Sequence, residues 1–96
     1  MDKLGDTFRE QREKRGLLLR QAAAQLDMDS AVLSKIERDE RKATKDQLSG
    51  FAKCYELDHK KLLIKWNVER IAEILKEEHD QTNIIKELQA QYDKQG

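Results

Sequence analysis

Residues 29–37, which read DSAVLSKIE, carry the most distinctive chemistry of the chain. Helical spacing puts Val32, Leu33 and Ile36 on one apolar stripe, and Asp29 suits the N-cap position before it. The opposite side keeps only small or polar side chains and one cation, namely Ser30, Ala31, Ser34 and Lys35. A lysine can donate to guanine O6 and N7, and an alanine can lie against a thymine methyl group. The pattern therefore favours a helix whose exposed face contacts base edges.

The segments before this helix are suited to position it. Gly16 is expected to end a first helix that contains Leu4 and Phe8, because glycine adopts the left-handed conformation at helix C-termini. A second short helix then packs through Ala22 and Ala23, whose small side chains allow a close crossing. Two short helices joined by a tight turn form a helix-turn-helix, in which the second helix enters the major groove.

Composition indicates that the rest of the chain is helical as well. The 96 residues include no proline and only four glycines, and 40% of them are charged. Thr44, Asp58 and Asp80 are expected N-caps of three further helices. The inner faces of the first two are expected to include Leu48, Phe51, Ala52, Tyr55, Leu62 and Leu63. A chain of this length builds one modest core, which a partner often completes.

The distribution of charge divides the chain in two. The net charge is zero. Residues 1–65 hold 15 Lys and Arg against 12 Asp and Glu, whereas residues 66–96 hold 4 against 7. The front is therefore mildly basic at +3 and the tail acidic at −3. Because phosphates repel carboxylates, we expect the front of the chain, and not the tail, to approach nucleic acid.

Other classes of function find little support in the sequence. It has no glycine-rich phosphate loop, HExxH motif or Ser/His/Asp arrangement, so we expect no catalytic residues, no enzymatic activity and no cofactor. His59 and His79 lack neighbouring ligands, so no metal site is predicted. No apolar run approaches the roughly 20 residues that span a bilayer, and the single Cys54 allows no internal disulfide. These features favour a cytoplasmic protein.

Residues 4–63 resemble the lambdoid-phage-repressor-like family of helix-turn-helix regulators, the Cro/C1 or XRE type. The run LSKIER at 33–38 is the most specific match, and Arg15-Gly16-Leu17 supports it. The resemblance implies a five-helix repressor-like domain. With the helical pattern after residue 65, we expect an all-α fold in which one or two C-terminal helices follow that domain. The resemblance also implies binding of operator DNA, through the major groove, as a homodimer.

The resemblance further assigns roles to individual residues. Ser30, Ala31 and Lys35 fall where the family's recognition helix touches bases, with Ser34 beside them. Arg38 and Lys42 fall where the following loop grips phosphate. Leu18 and Leu19 replace the usual polar cap and glutamine at the start of the second helix, so Arg20 or Gln21 is expected to supply that phosphate contact instead. Asp39 replaces the glycine usual after the recognition helix, and Ala43 the usual loop proline.

A charged pair and a division of the chain into two parts are also expected. Arg12 and Glu37 match a charged pair that in this family ties the first helix to the end of the recognition helix. We expect residues 1–65 to form the DNA-binding domain and residues 66–96 a helical dimerisation extension. The residues expected to dimerise are Trp66, Ile71, Ile74, Leu75, Ile84, Ile85, Leu88 and Tyr92.

Some alternatives stay open at the level of sequence. Residues 29–37 could be an ordinary amphipathic helix, and the charged run 38–45 a solvated turn. The apolar stripe of the last helix could fold back onto the fifth helix instead of joining subunits. The helix-turn-helix fold could also belong to an antitoxin-like protein-interaction module, in which Leu18, Leu19 and the acidic tail contact a protein partner.

Overall fold

The computed structural model describes residues 3–95, and this part of the chain is all helical, with six helices and no strand. The outer ends of the two expected domains, residues 1–2 and 96, lie outside the described residues. The helices are α1 (Leu4–Lys14), α2 (Leu19–Gln25), α3 (Ser30–Glu37), α4 (Lys45–Cys54), α5 (His59–Leu75) and α6 (Gln81–Gln95).

Helices α3 to α6 begin directly after the residues that were expected to cap them. Thr44 and Gln47 form a reciprocal capping box at α4, with the Gln47 amide 3.1 Å from Thr44 Oγ1 and the Thr44 amide 3.0 Å from Gln47 Oε1. The Asp58 carboxylate accepts from the amide of Lys61 at the start of α5. Asp29 occupies the N-cap of α3, but its side chain accepts no hydrogen bond there, so only its position matches the expectation.

Left-handed residues end the first four helices. Gly16 has φ +67°, and Asp27, Asp39 and Glu56 have φ of 54°, 60° and 53°. After α1, the Gly16 amide donates to Glu13 and the Leu17 amide to Arg12, which is the hydrogen-bond pattern of a Schellman motif. These turns are tight, and the one at Asp27 holds α2 and α3 in the helix-turn-helix arrangement.

The core lies among the first five helices. Its largest fully buried side chains are Phe8, Leu33, Leu48, Phe51 and Tyr55. The rings of Phe8 and Phe51 stack with centroids 3.8 Å apart, which joins α1 to α4. The core therefore fixes the inner face of α3 and leaves its other face to solvent.

Trp66 belongs to this core. It is 8% exposed, and its Nε1 donates a 2.7 Å hydrogen bond to the carbonyl of Ala43 in the loop before α4. The expected role of Trp66 in dimerisation does not fit this placement, because the side chain is already buried within its own chain. The expected border at 65/66 also falls inside α5, which runs unbroken from residue 59 to residue 75.

The last helix stands apart from the core. Every residue from Gln81 to Lys94 is exposed, and so are Ile71 and Ile74 of α5. The apolar stripe of α6 therefore does not fold back onto α5 in this chain. Both helices therefore expose large apolar side chains. A contiguous exposed apolar surface of this kind usually marks the binding site of a partner.

The hydroxyl of Tyr55 yields a first prediction. It is buried and has no hydrogen-bond partner within residues 3–95, which is costly for a polar group. We expect Tyr55→Phe to keep or raise the free energy of unfolding, by up to about 1 kcal/mol. Thermal unfolding followed by circular dichroism measures the change. A clear loss of stability would show that the hydroxyl does have a partner.

Tyr55 also allows a prediction of how folding stability changes at alkaline pH. Burial raises the pKa of the Tyr55 hydroxyl to about 12. The unfolded chain therefore ionises this group first, and folding stability falls as the pH rises from about 10 through about 12. Tyr55→Phe removes this contribution, so the stability of the variant should decline less steeply over that range.

Candidate nucleic-acid interface

The outward face of α3 is the centre of the candidate interface. This outward face consists of Ala31, Ser34 and Lys35 of α3 and of Arg38 directly after it, which follow the i, i+3, i+4, i+7 spacing of one helix face. Ala31, Lys35 and Arg38 are exposed and Ser34 is half-buried, while Leu33 and Ile36 on the other side are buried. Ser30 is exposed at the start of the helix. The N-terminal half of this face has only short side chains, and its C-terminal half is cationic.

A cleft of about 490 Å³ lies between the starts of α2 and α3. It brings together four of the expected DNA-contacting residues with two leucines, since its lining is Leu18, Leu19, Arg20, Ser30, Ala31 and Ser34. Leu19 packs partly against the core, whereas Leu18 is 52% exposed. The edge of the candidate interface is thus apolar where the family has polar groups.

Three other expected DNA-contacting residues are engaged within the chain. Gln21 Oε1 accepts from the amide of Leu18 at 2.8 Å, so this side chain caps α2. Arg38 donates to the carbonyl of Ser34 and pairs with Glu40 at 3.0 Å. Lys42 Nζ lies 3.6 Å from Glu69 Oε1. Phosphate binding by Arg38 or Lys42 would have to compete with these internal partners, whereas Lys35 forms no ion pair with the described residues.

A bidentate ion pair holds the end of α3 against α1. Arg12 Nε lies 2.8 Å from Glu37 Oε2 and Arg12 Nη2 lies 3.1 Å from Glu37 Oε1. The side chains are 14% and 4% exposed. Arg12 Nη1 also donates to the carbonyl of Leu17, so one guanidinium joins α1, the turn after it and α3. The hydrogen bond to Glu37 raises the pKa of Arg12 above its ordinary value, so the guanidinium stays charged.

The backbones of α1 and α3 also touch. A Cβ on Gly5 would come within 2.5 Å of the Ile36 carbonyl oxygen and 2.8 Å of that of Glu37. Lys3 Nζ reaches Asp39 just after α3, at 3.3 Å. The buried Arg12–Glu37 pair and the close backbone contact at Gly5 thus hold the C-terminal end of α3 against α1, and Lys3 adds an exposed ion pair to the turn that follows. These contacts fix the direction in which the outward face of α3 points.

Glu69 is a positioning residue that the sequence alone does not reveal. One of its carboxylate oxygens accepts from the amide of Leu4 at 2.9 Å, and the other faces Lys42. The carboxylate thus lies at the N-terminus of α1, where a negative charge is favourable. It joins α5 to the start of α1 and to the loop after α3. No local pattern could have indicated it, because Leu4 and Glu69 lie 65 residues apart.

The described part of the chain includes neither a candidate metal site nor a candidate membrane-spanning helix. Within residues 3–95, no cluster of three or more His, Cys, Asp or Glu side chains is arranged to hold a metal ion. Among the same residues, no helix is long and apolar enough to cross a membrane.

Comparison with known proteins agrees with this geometry. The family model of the helix-turn-helix domain matches residues 3–62, which is more than half of the chain and includes α1 to α4 in full. No curated protein and no solved structure matches the chain. The family implies a DNA-binding regulator. The chain therefore belongs to the helix-turn-helix domain family, of the XRE/Cro-like type.

Proposed function

We propose that this protein is a sequence-specific transcriptional regulator that binds operator DNA as a homodimer and represses transcription, including that of its own gene. The observation that carries the proposal is the outward face of α3, which is exposed at Ala31, Lys35 and Arg38 on a helix that is contacted near its C-terminal end by Arg12, Gly5 and Lys3. A rigidly held helix with small side chains can approach base edges closely.

The residues of this face have complementary tasks. Lys35 is proposed to donate to guanine, Ala31 to contact a thymine methyl group, and Ser30 and Ser34 to make short hydrogen bonds. Arg20, across the cleft, is proposed to bind phosphate, with Gln21, Arg38 and Lys42 contributing once DNA displaces their internal partners. One such face offers few base contacts. Two copies on a two-fold symmetric site are therefore needed for useful selectivity.

The substitution Lys35→Ala tests this function. Losing one good base contact costs about 1–3 kcal/mol, and the dimer loses one in each half-site, so we expect binding to the preferred operator to weaken by about 2–6 kcal/mol, which is at least roughly 30-fold. Binding to random DNA should change far less, because that binding depends on phosphate contacts. The measurement is a fluorescence-anisotropy titration with DNA from upstream of the protein's own gene and with a scrambled duplex, at two or more salt concentrations.

Lys53→Ala is the matched control, since Lys53 is an exposed lysine on α4 that lies outside the α3 face. We expect it to bind the operator almost as the unaltered protein does. If the unaltered protein prefers no sequence over the scrambled duplex, the proposal is wrong. An antitoxin-like role, in which the exposed Leu18 contacts a protein, would then be favoured.

A further inference from the structure

Two unpartnered apolar faces lie on the C-terminal helices. The face of α5 consists of Ile64, Val68, Ile71 and Leu75, and the face of α6 consists of Ile85, Leu88 and Tyr92. Apart from the half-buried Leu75, these side chains are 41–64% exposed. Together they are too large and too contiguous to be scattered surface residues.

The spacing of the two faces matches. The α5 face has intervals of four, three and four residues, and the α6 face has intervals of three and four. This is the 3.5-residue period with which helices pack side by side through knobs and holes. At 1.5 Å per residue the faces are about 16 Å and 10 Å long, so one can lie along the other.

The surface of α5 is shaped to receive a helix. An open groove of about 620 Å³ runs along it, with Ile64, Val68 and Ala72 as apolar lining and Lys3 at one side. No residue of α6 lines this groove in the same chain. The groove is therefore free for a helix from elsewhere.

Charge favours the tail of this same protein as the occupant. The lining of the groove includes four lysines, Lys3, Lys61, Lys65 and Lys76, against Glu69 and Glu73, a net charge of +2. Glu69 is already engaged by Leu4 and Lys42. Residues 77–94, by contrast, carry five carboxylates and two lysines, a net charge of −3. The excess carboxylates are Glu77, Glu78 and Asp80, directly before α6, whereas residues 81–94 of α6 hold two carboxylates and two lysines. A basic groove therefore attracts the acidic segment that leads into this helix.

We propose that α6 of one copy docks into the α5 groove of a second copy, and that the second copy returns the same contact. A single helix stripe buries too little surface for a stable interface, which needs about 1,200–2,000 Å² in total. Reciprocal docking doubles the buried area and gives the two-fold symmetry of an isologous dimer. The inference rests on the proposed function only because binding to a two-fold operator requires two copies.

The first test is sedimentation of the full chain without DNA. We expect the 11.3 kDa chain to sediment at twice that mass at micromolar concentration. Val68→Asp and Leu88→Asp should each give monomers, because each buries a carboxylate in one half of every contact. Ala90→Asp adds the same charge on the opposite side of α6 and should leave the dimer intact.

Cross-linking then identifies which helices meet. In a Cys54→Ser background, one chain carries Val68→Cys and a differently tagged chain carries Leu88→Cys. After mixing, a short bismaleimide should join the two different tags. Cross-links only between two Leu88→Cys chains would instead indicate that α6 pairs with α6, and would overturn the proposal.

A third outcome is decided by a chain that carries both cysteines. Linkage confined within one chain, or a monomer at all concentrations, would show that α6 folds back or stays free, and would also overturn the proposal. None of these measurements includes DNA. Together with the DNA titration described above, they separate the two proposals. A monomer that still selects its operator would refute the docking alone, whereas a dimer with no preference for operator DNA would refute the proposed function alone.

Discussion

Arg12→Ala is expected to lower the free energy of unfolding by about 3–5 kcal/mol, because it leaves the carboxylate of Glu37 buried without its partner. Glu37 is 6% exposed overall and accepts two of the three guanidinium hydrogen bonds described above. For a domain of this size each kcal/mol shifts Tm by roughly 4–8 °C, so a fall of roughly 12 °C or more should follow. Thermal and urea unfolding measure it directly.

Arg9→Ala is the control for this prediction. Arg9 lies on the same helix and forms an ion pair of the same 2.8 Å length with Glu13, but both side chains are more than half exposed. Its removal should cost only about 0.3–0.5 kcal/mol. Equal losses in the two variants would mean that burial does not strengthen the Arg12–Glu37 pair. The double variant Arg12→Ala/Glu37→Ala should recover part of the loss, because no stranded charge remains.

Gly5→Ala is expected to be the most damaging change of a single methyl group. Its Cβ would meet two backbone carbonyl oxygens at 2.5 and 2.8 Å, and neither can rotate away as a flexible side chain could. The helices α1 and α3 must therefore separate, at a cost of about 1–3 kcal/mol or more. Because α3 carries the candidate DNA contacts, operator affinity should fall as well. Thermal unfolding and fluorescence anisotropy give the two results.

Gly50→Ala provides the opposite case in the same chain. Gly50 lies inside α4, and a Cβ there meets its nearest neighbour, Leu26 Cδ2, at an ordinary 3.8 Å. Alanine is favoured over glycine in a helix interior, so this variant should gain about 0.5–1 kcal/mol. If Gly5→Ala were equally harmless, the close approach of α1 and α3 would not persist in solution.

Local features of the fold were accessible from the sequence. The caps at Thr44 and Asp58 and the end of α1 at Gly16 depend on residues within a few positions of each other. The buried side chains of α1 to α4 follow the same logic, since a 3.6-residue period marks one face of each helix. The left-handed conformation at Asp39 also fits its place where the family has glycine.

Long-range features were less accessible. The Arg12–Glu37 contact was expected only because a family resemblance suggested it, since nothing in residues 12 and 37 alone indicates that they meet. The sequence pattern assigned Trp66 to dimerisation and did not indicate its partner, because that partner is a backbone carbonyl 23 residues earlier. The internal partners of Arg38 and Lys42 were missed as well, because a cation in a charged run gives no sign of where it points. The partner of Gln21 was also missed, although it is local: the Leu18 amide lies only three residues earlier.

The contacts of α5 determine how much of this chain can be moved to another protein. The family match ends at residue 62, yet the carbonyl of Ala43 and the amide of Leu4 find their partners in Trp66 and Glu69. A fusion that joined residues 3–62 to a foreign domain would leave these two backbone groups without their partners. It would also remove Trp66 from the core and expose the side chains that Trp66 covers. The smallest transplantable DNA-binding unit therefore extends past the family match to include at least residue 69.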